Sequence, residues 1–271
     1  MRRNNLLSAF YVIFISFLML SCSDDNDSDY EVFPGGTSAK ILPVKVTGDK
    51  NATIIYYEYD NNNRLVTIKR EWPRAGEGST NTISYDTEGR IVKLTRTHTT
   101  PENNYIWTYT YNGSQITAKY DKSAHSFIIE VNESGHILKR DQLDVDGNVV
   151  YSEYFVYDDN GNIKNKNTSH PNYRSYTYDD KNGIFKNVNI PQWFLATQLS
   201  ELYTFDNNVV EESVKYSNGE IEERLLVDSG FKIAYTYNGN DYPIKYTSPY
   251  RTDIVGEIID DTFTIKYRLA K

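Results

Sequence analysis

Tyr57-Glu58-Tyr59-Asp60-Asn61-Asn62-Asn63-Arg64-Leu65 ends one extended segment, turns, and begins another. Tyr57 and Tyr59, two residues apart, share one face of a strand; Asp60 starts a polar turn and Leu65 opens the return. Variants of this stretch recur to the C-terminus. Tyr59, Tyr85, Tyr111, Val131, Tyr157, Tyr178, Phe205 and Tyr237 hold the last strand position, and the next residue is Asp or Asn every time. Leu65, Ile91, Ile116, Ile137, Ile163, Ile184, Val209 and Ile244 open the returns. Asp and Asn side chains accept backbone N–H groups within a turn, and Gly89, Gly113, Gly135, Gly161 and Gly239, with Asn63 standing in, supply the positive φ that closes it. Each copy therefore predicts a β-hairpin. The copies lie 26, 26, 20, 26, 21, 27 and 32 residues apart, so the repeat is degenerate, with loops of variable length.

Between the turns, alternation continues. Leu42, Val44 and Val46 are expected to share a face, as are Trp107, Tyr109 and Tyr111, then Ile233, Tyr235 and Tyr237, while Thr108, Thr110, Lys232, Ala234 and Thr236 take the other. One face packed and one face wet describes an antiparallel sheet. Helical spacing occurs at 191–202, where Pro191 suits a first helical position and Leu195, Leu199 and Leu202 form one stripe. The expected fold is all-β: an antiparallel meander of about sixteen or more short strands, curled into a soluble barrel or strongly curved sheet, with one short helix inserted near 191–202.

Arg2 and Arg3 precede an apolar run from Leu6 to Leu20, too short to span a bilayer comfortably, which ends at Ser21-Cys22. This reads as a signal peptide over 1–21. Cys22, the single cysteine, resembles the acylated cysteine of bacterial lipoproteins. The run 23–29 has no apolar residue, so 22–39 is expected to be a disordered acidic tether, with 40–271 as one β-hairpin-repeat domain. An acidic stretch directly after the lipidation site resembles the export signal of Bacteroidetes surface lipoproteins. The expected address is the outer membrane, lipid-anchored, at the cell surface; a plain spacer would leave the domain on the periplasmic face. The whole chain carries a net charge of −8, which argues against nucleic acid and anionic lipid faces as partners.

The unit Ile83-Ser84-Tyr85-Asp86-Thr87-Glu88-Gly89-Arg90-Ile91 resembles the YD (Rhs-type) repeat. Together with the lipoprotein signal, the Phe185-Lys186-Asn187-Val188 segment and Tyr242-Pro243-Ile244-Lys245, it is similar to a Bacteroidetes lipoprotein family described as having a porin-like fold. The resemblance covers about 40–271 and implies a fold and an address, with no catalytic residue.

No Gly-rich phosphate loop, nucleophile elbow or catalytic cysteine is present. His98, His125, His136 and His170 lie in or near predicted turns without metal-binding spacing. Asp144-Val145-Asp146-Gly147-Asn148 has part of a calcium loop, but Asp-Gly between Leu143 and Val149 also makes a hairpin turn. Glu211-Glu212 and Asp260-Asp261 are adjacent, so on strands they point to opposite faces. The sequence thus assigns no catalytic, cofactor-binding or metal-binding residue, no cofactor, and only the lipidation site Cys22. The expected function is non-enzymatic binding of a glycan or peptide. The alternatives are a structural or adhesive surface protein without a pocket and, more remotely, a hydrolase with a composite carboxylate site. The tyrosines are expected to pack; Trp72 and Trp107 are the aromatics least explained by packing.

Overall fold

The computed structural model describes residues 40–50, 52–169, 172–199, 206–216, 229–251 and 258–271. The signal segment, Cys22, the tether, His170, Leu202 and Phe205 lie outside the described residues. Seventeen strands follow: β1 (Ile41–Gly48), β2 (Ile54–Tyr59), β3 (Leu65–Trp72), β4 (Glu77–Tyr85), β5 (Ile91–His98), β6 (Tyr105–Asn112), β7 (Gln115–Tyr120), β8 (Ser126–Val131) and β9 (Ile137–Leu143). The rest are β10 (Val149–Tyr157), β11 (Ile163–Thr168), β12 (Asn172–Tyr178), β13 (Val209–Tyr216), β14 (Ser229–Lys232), β15 (Ala234–Tyr237), β16 (Pro243–Arg251) and β17 (Ile258–Leu269). Each pairs antiparallel with the next along the chain, except that β14 and β15 form one line interrupted at Ile233, whose N–H donates to the Val210 carbonyl. β17 returns to pair with β1 over seven positions, from Ile41 opposite Leu269 to Gly48 opposite Phe263. The meander closes into a barrel, the first of the two shapes that the alternation leaves open. With β14 and β15 counted as one, the number of staves is even, as an all-antiparallel ring requires.

Five of the repeated turns share one bonding pattern, whereas Asn112 faces Gln115 across a two-residue turn. Asp60 Oδ1 accepts the N–H groups of Asn62 and Arg64, and Asp86 Oδ1 those of Glu88 and Arg90. Asn132, Asp158 and Asn238 do the same two and four residues ahead. Asn63 and Gly89 take the positive φ, at 58° and 80°; in the last turn Asp241 takes it instead of Gly239, and Pro243 rather than Ile244 faces Tyr237. Asp144 bonds to the N–H groups of Asp146 and Asn148 in the same way, so the calcium-like motif is another of these turns.

Tyrosine is selected at the strand ends by its hydroxyl as well as its ring. Tyr85 Oη donates to the Leu65 carbonyl at 2.8 Å, Tyr111 to Ile91 at 2.7 Å, Tyr157 to Ile137 at 2.8 Å and Tyr178 to Ile163 at 2.8 Å. Each reaches the residue that opens the preceding return strand. Tyr235 to Val209, Tyr267 to Pro243 and Tyr59 to Pro43 continue the series around the seam, and Val131 interrupts it. The residue that closes each turn then covers the next tyrosine: Arg64 lies 4.5 Å over the Tyr85 ring, Arg90 5.0 Å over Tyr111, and His136 stacks 4.8 Å from Tyr157.

Other expectations need correction. Ile184 opens no strand, and Asp206 begins no hairpin. The turn at Asp179 is split: Asp179 N–H bonds to the Asn208 carbonyl and Asn208 N–H to Asp179 Oδ1, the closure made elsewhere by the residue four places on. Between these halves an insert occupies the barrel, because the turn's hydrogen bonds survive whatever length is spliced into it. The short helix belongs to this insert, as α1 (Gln192–Phe194) continued by a π-helical turn at Leu195–Leu199; Pro191 caps it, and Trp193 and Phe194 are buried beside Leu195, with Leu199 also packed against the core. Finally, a bulge at Val44 breaks the expected Leu42, Val44, Val46 face, so that Pro43 and Val46 oppose Tyr267 and Ile265.

Tyr109 is buried while Thr110 on the opposite face is exposed. Tyr109→Ala should therefore cost about 2–4 kcal/mol in urea unfolding, and Thr110→Ala less than about 0.5 kcal/mol. Tyr85→Phe should cost about 1–3 kcal/mol, because it strands a carbonyl as well as removing a bond. The ring of hydroxyls also sets an alkaline limit. Burial pushes Tyr111 up to about 12, and burial likewise raises Tyr85 and Tyr157. Unfolded tyrosine ionises near pH 10, so this stabilisation is complete below about pH 10 and is lost as pH rises through the folded values. Stability measured against pH should fall above about 10; a flat profile to pH 12 would contradict the ring.

Candidate functional site: the inner face away from the insert

Cross-strand partners lie on one face of a sheet, so the register identifies every inward residue. On β4 these are Tyr85, Ile83, Asn81, Ser79 and Glu77 in order from the turn that holds Asp86. The first two are apolar or aromatic and the rest polar. The same change occurs on β3 (Ile68, then Arg70), β5 (Leu94, then Arg96 and His98), β9 (Ile137, then Arg140 and Gln142), β10 (Phe155, then Glu153) and β12 (Tyr176, then Arg174). The inner face is thus apolar toward the Asp-containing turns and polar toward the opposite rim.

The insert fills the apolar half. Phe185 packs edge-on against Tyr57 of β2 at 5.2 Å, and Trp193 against Tyr109 of β6 at 5.2 Å. Asn187 Nδ2 donates to the Tyr242 hydroxyl at 2.7 Å and the Ile41 carbonyl at 3.1 Å. Asn189 N–H reaches the Asn63 carbonyl, and Asn182 Nδ2 the Asn240 carbonyl. Tyr237 Oη donates to Asp179 Oδ2, which with burial holds the Tyr237 hydroxyl well above its ordinary pKa. The insert is pinned to turns around the barrel, so this end is closed by the chain itself.

The polar half has two walls. Along β9 to β13 the charges are paired: Arg140 and Lys166 with Glu153, and Arg174 with Glu212 at 2.7 Å. Along β3 to β5 they are not. Arg70 and Arg96 form no ion pair among the described residues, and Ser79 Oγ, Asn81 Oδ1 and Arg96 Nε make no protein hydrogen bond although Ser79 and Asn81 are only 5% and 3% exposed. A cleft of about 420 Å³ lies at the rim of this wall and wraps its edge, lined by inward Arg70, Glu77, Ser79 and His98 and by outward Lys69, Glu71, Thr80 and Thr97. Beside it, inward Tyr105, Trp107, Tyr120 and Phe127 form an aromatic wall: Trp107 stacks 4.9 Å from Tyr120, Tyr105 lies edge-on to Tyr120 at 5.4 Å, and Phe127 is 5.5 Å from Trp107. A second hollow, of about 520 Å³, lies near Thr108, Lys119, Asp121 and Asp144.

Trp72 and Trp107, the least explained aromatics in sequence, both face inward at this end; Trp72 is 5.7 Å from His98. The histidines are not brought together: His98 Nδ1 accepts the Thr100 N–H, His125 Nδ1 contacts the Leu143 carbonyl and His136 covers Tyr157. Among the described residues no three His, Cys, Asp or Glu are grouped to hold a metal. Glu212 is buried against Arg174 and Glu211 is turned to Lys232, on opposite faces as their adjacency predicts. The sequence reading missed Ser79, Asn81, Arg70 and Arg96. The signal was available by stepping back in twos from Tyr85 through Ile83, but the tyrosines drew attention to the turn end alone.

No family model and no curated protein matches the chain. Its structural neighbours include porin-like proteins from Bacteroides. One from Bacteroides uniformis is 14% identical, with 87% of this chain and 99% of that one covered and a TM-score of 0.49. Another, from Bacteroides vulgatus, is 12% identical, covering 84% and 99%, with a TM-score of 0.40.

A buried hydroxyl without a partner costs about 1–3 kcal/mol. Ser79→Ala should therefore leave stability unchanged or raise it in urea unfolding. A loss above about 1 kcal/mol would mean that the Ser79 hydroxyl is satisfied within the protein.

Proposed function

We propose that the chain is a non-enzymatic binding protein, held at the outer surface of the cell by lipid on Cys22, which takes a polar ligand into the end of the barrel away from the insert. The observation that supports this is the change of character along the inner face. An apolar core would suffice for a filled structural barrel. The arginines, Ser79 and Asn81 on this face add desolvation cost without partners in the protein, the pattern of a site kept for a ligand.

The outer face supports a barrel in water and not in lipid. Thr108, Thr110, Lys232, Thr236, Lys245 and Thr264 point outward and are exposed. A membrane barrel carries an apolar band about 25 Å tall there, and a lysine at mid-bilayer costs about 2–4 kcal/mol. Among the described residues, the exposed large apolar side chains include Leu138, Tyr154 and Val156 on β9 and β10 and form no continuous band. A lipid anchor on a water-facing barrel separates the two tasks: the acyl chains hold the protein, and the barrel remains available to solutes.

The full chain with Cys22→Ala should leave the membrane fraction and purify as a folded β-rich protein in detergent-free buffer. Retention in the membrane fraction would overturn the anchor. Aggregation relieved only by detergent, with conductance in planar bilayers, would overturn the water-facing barrel.

A further inference from the structure

Resting on the reading of the polar end as a binding chamber, we propose that its ligand is an anionic glycan, with the acidic group held by Arg70 and Arg96 and a sugar ring on the aromatic wall. The register places Arg70 opposite Ser79, and Ser79 opposite His98; one row deeper, Asn81 lies opposite Arg96, and Arg96 opposite Tyr105. Two guanidinium groups therefore flank the small polar side chains of β4 on a single inner surface. Neither has a carboxylate partner among the described residues, although acidic side chains outnumber basic ones 37 to 29 in the chain. Glu77 is the inward carboxylate of β4 on this wall; it is exposed and forms no ion pair among the described residues.

The chemistry of these groups selects the ligand. Guanidinium groups present paired N–H donors that match a carboxylate or sulfate. The Ser79 hydroxyl and Asn81 Oδ1 supply a donor or acceptor and an acceptor, which suit sugar hydroxyls. The Arg96 guanidinium lies 5.5 Å from the Tyr105 ring, so the charged site borders the aromatic wall directly. Aromatic faces of this kind stack on the C–H face of a sugar, and a peptide would need neither the paired cations nor the orphaned hydroxyl together. The opposite wall provides the contrast: its arginines are neutralised by Glu153 and Glu212, so an anion gains nothing there.

The test is calorimetric titration of the full Cys22→Ala chain with oligogalacturonate, a heparin-derived oligosaccharide and a neutral cello-oligosaccharide. Binding of either acidic probe at least tenfold tighter than the neutral one, weakened at least tenfold by Arg96→Gln and by Arg70→Gln but not by Lys93→Gln on the outer face, is the expected result. Which acidic probe binds distinguishes carboxylate from sulfate. Arg96→Lys should restore part of the affinity, and circular dichroism confirms that each variant folds. Neutral and acidic probes binding alike, with Arg96→Gln unaffected and Trp107→Leu defective, would overturn the anionic ligand while leaving the chamber in place. Binding of none of the three probes would overturn the glycan assignment, and a peptide library captured through Asn81 would then preserve the parent reading alone.

Discussion

Except at Val131, the hairpins of this barrel are held to their neighbours by a tyrosine hydroxyl that reaches the carbonyl opening the previous return strand, as Tyr85 reaches Leu65 and Tyr111 reaches Ile91. Ladder hydrogen bonds fix one strand against the next but leave register and curvature adjustable. A phenol of fixed length, clamped between a ring packed inside and a carbonyl on the neighbouring hairpin, fixes both. The Asp or Asn that follows sets the turn, and the cation or histidine closing the turn covers the next ring. Three short-range rules, repeated, thereby specify a long-range closure that brings β17 back to β1.

This constraint operates at one end only, and the division of the interior follows from it. Tyrosines and aliphatic residues near the Asp-containing turns make an apolar half that must be filled. The insert at the split Asp179 turn fills it with Phe185, Trp193 and Phe194. Because that turn keeps its closure through Asn208, the insert does not disturb the neighbouring strands. The far half, freed from the work of closure, carries charges and aromatics. On one wall these satisfy each other, and on the other Arg70, Arg96, Ser79 and Asn81 do not.

Much of this architecture was legible in the sequence, for physical reasons. Strand periodicity and Asx turns are local, so Tyr59-Asp60 through Tyr237-Asn238 announced hairpins, and Tyr109 against Thr110 announced the faces. What failed was non-local. Tyr178-Asp179 and Phe205-Asp206 looked like two turns because nothing in either marks them as halves of one, and the bond from Asn208 to Asp179 spans 29 residues. The helix was placed correctly, but its buried run from Trp193 to Leu195 reflects enclosure on several sides, which a single-stripe reading does not anticipate. The candidate site was hidden for a related reason. Asn81 and Arg96 look like ordinary polar strand residues until the register shows that they face inward.

Closure is the claim from which both halves of the interior derive, and native-state hydrogen exchange along the seam measures it most directly. Amides at 45–48 in β1 and 263–267 in β17 should exchange as slowly as those of the β4–β5 ladder, since a closed ring has no edge strand. Fast exchange confined to that seam, with the other ladders protected, would show an open sheet without an enclosed chamber and would contradict the account.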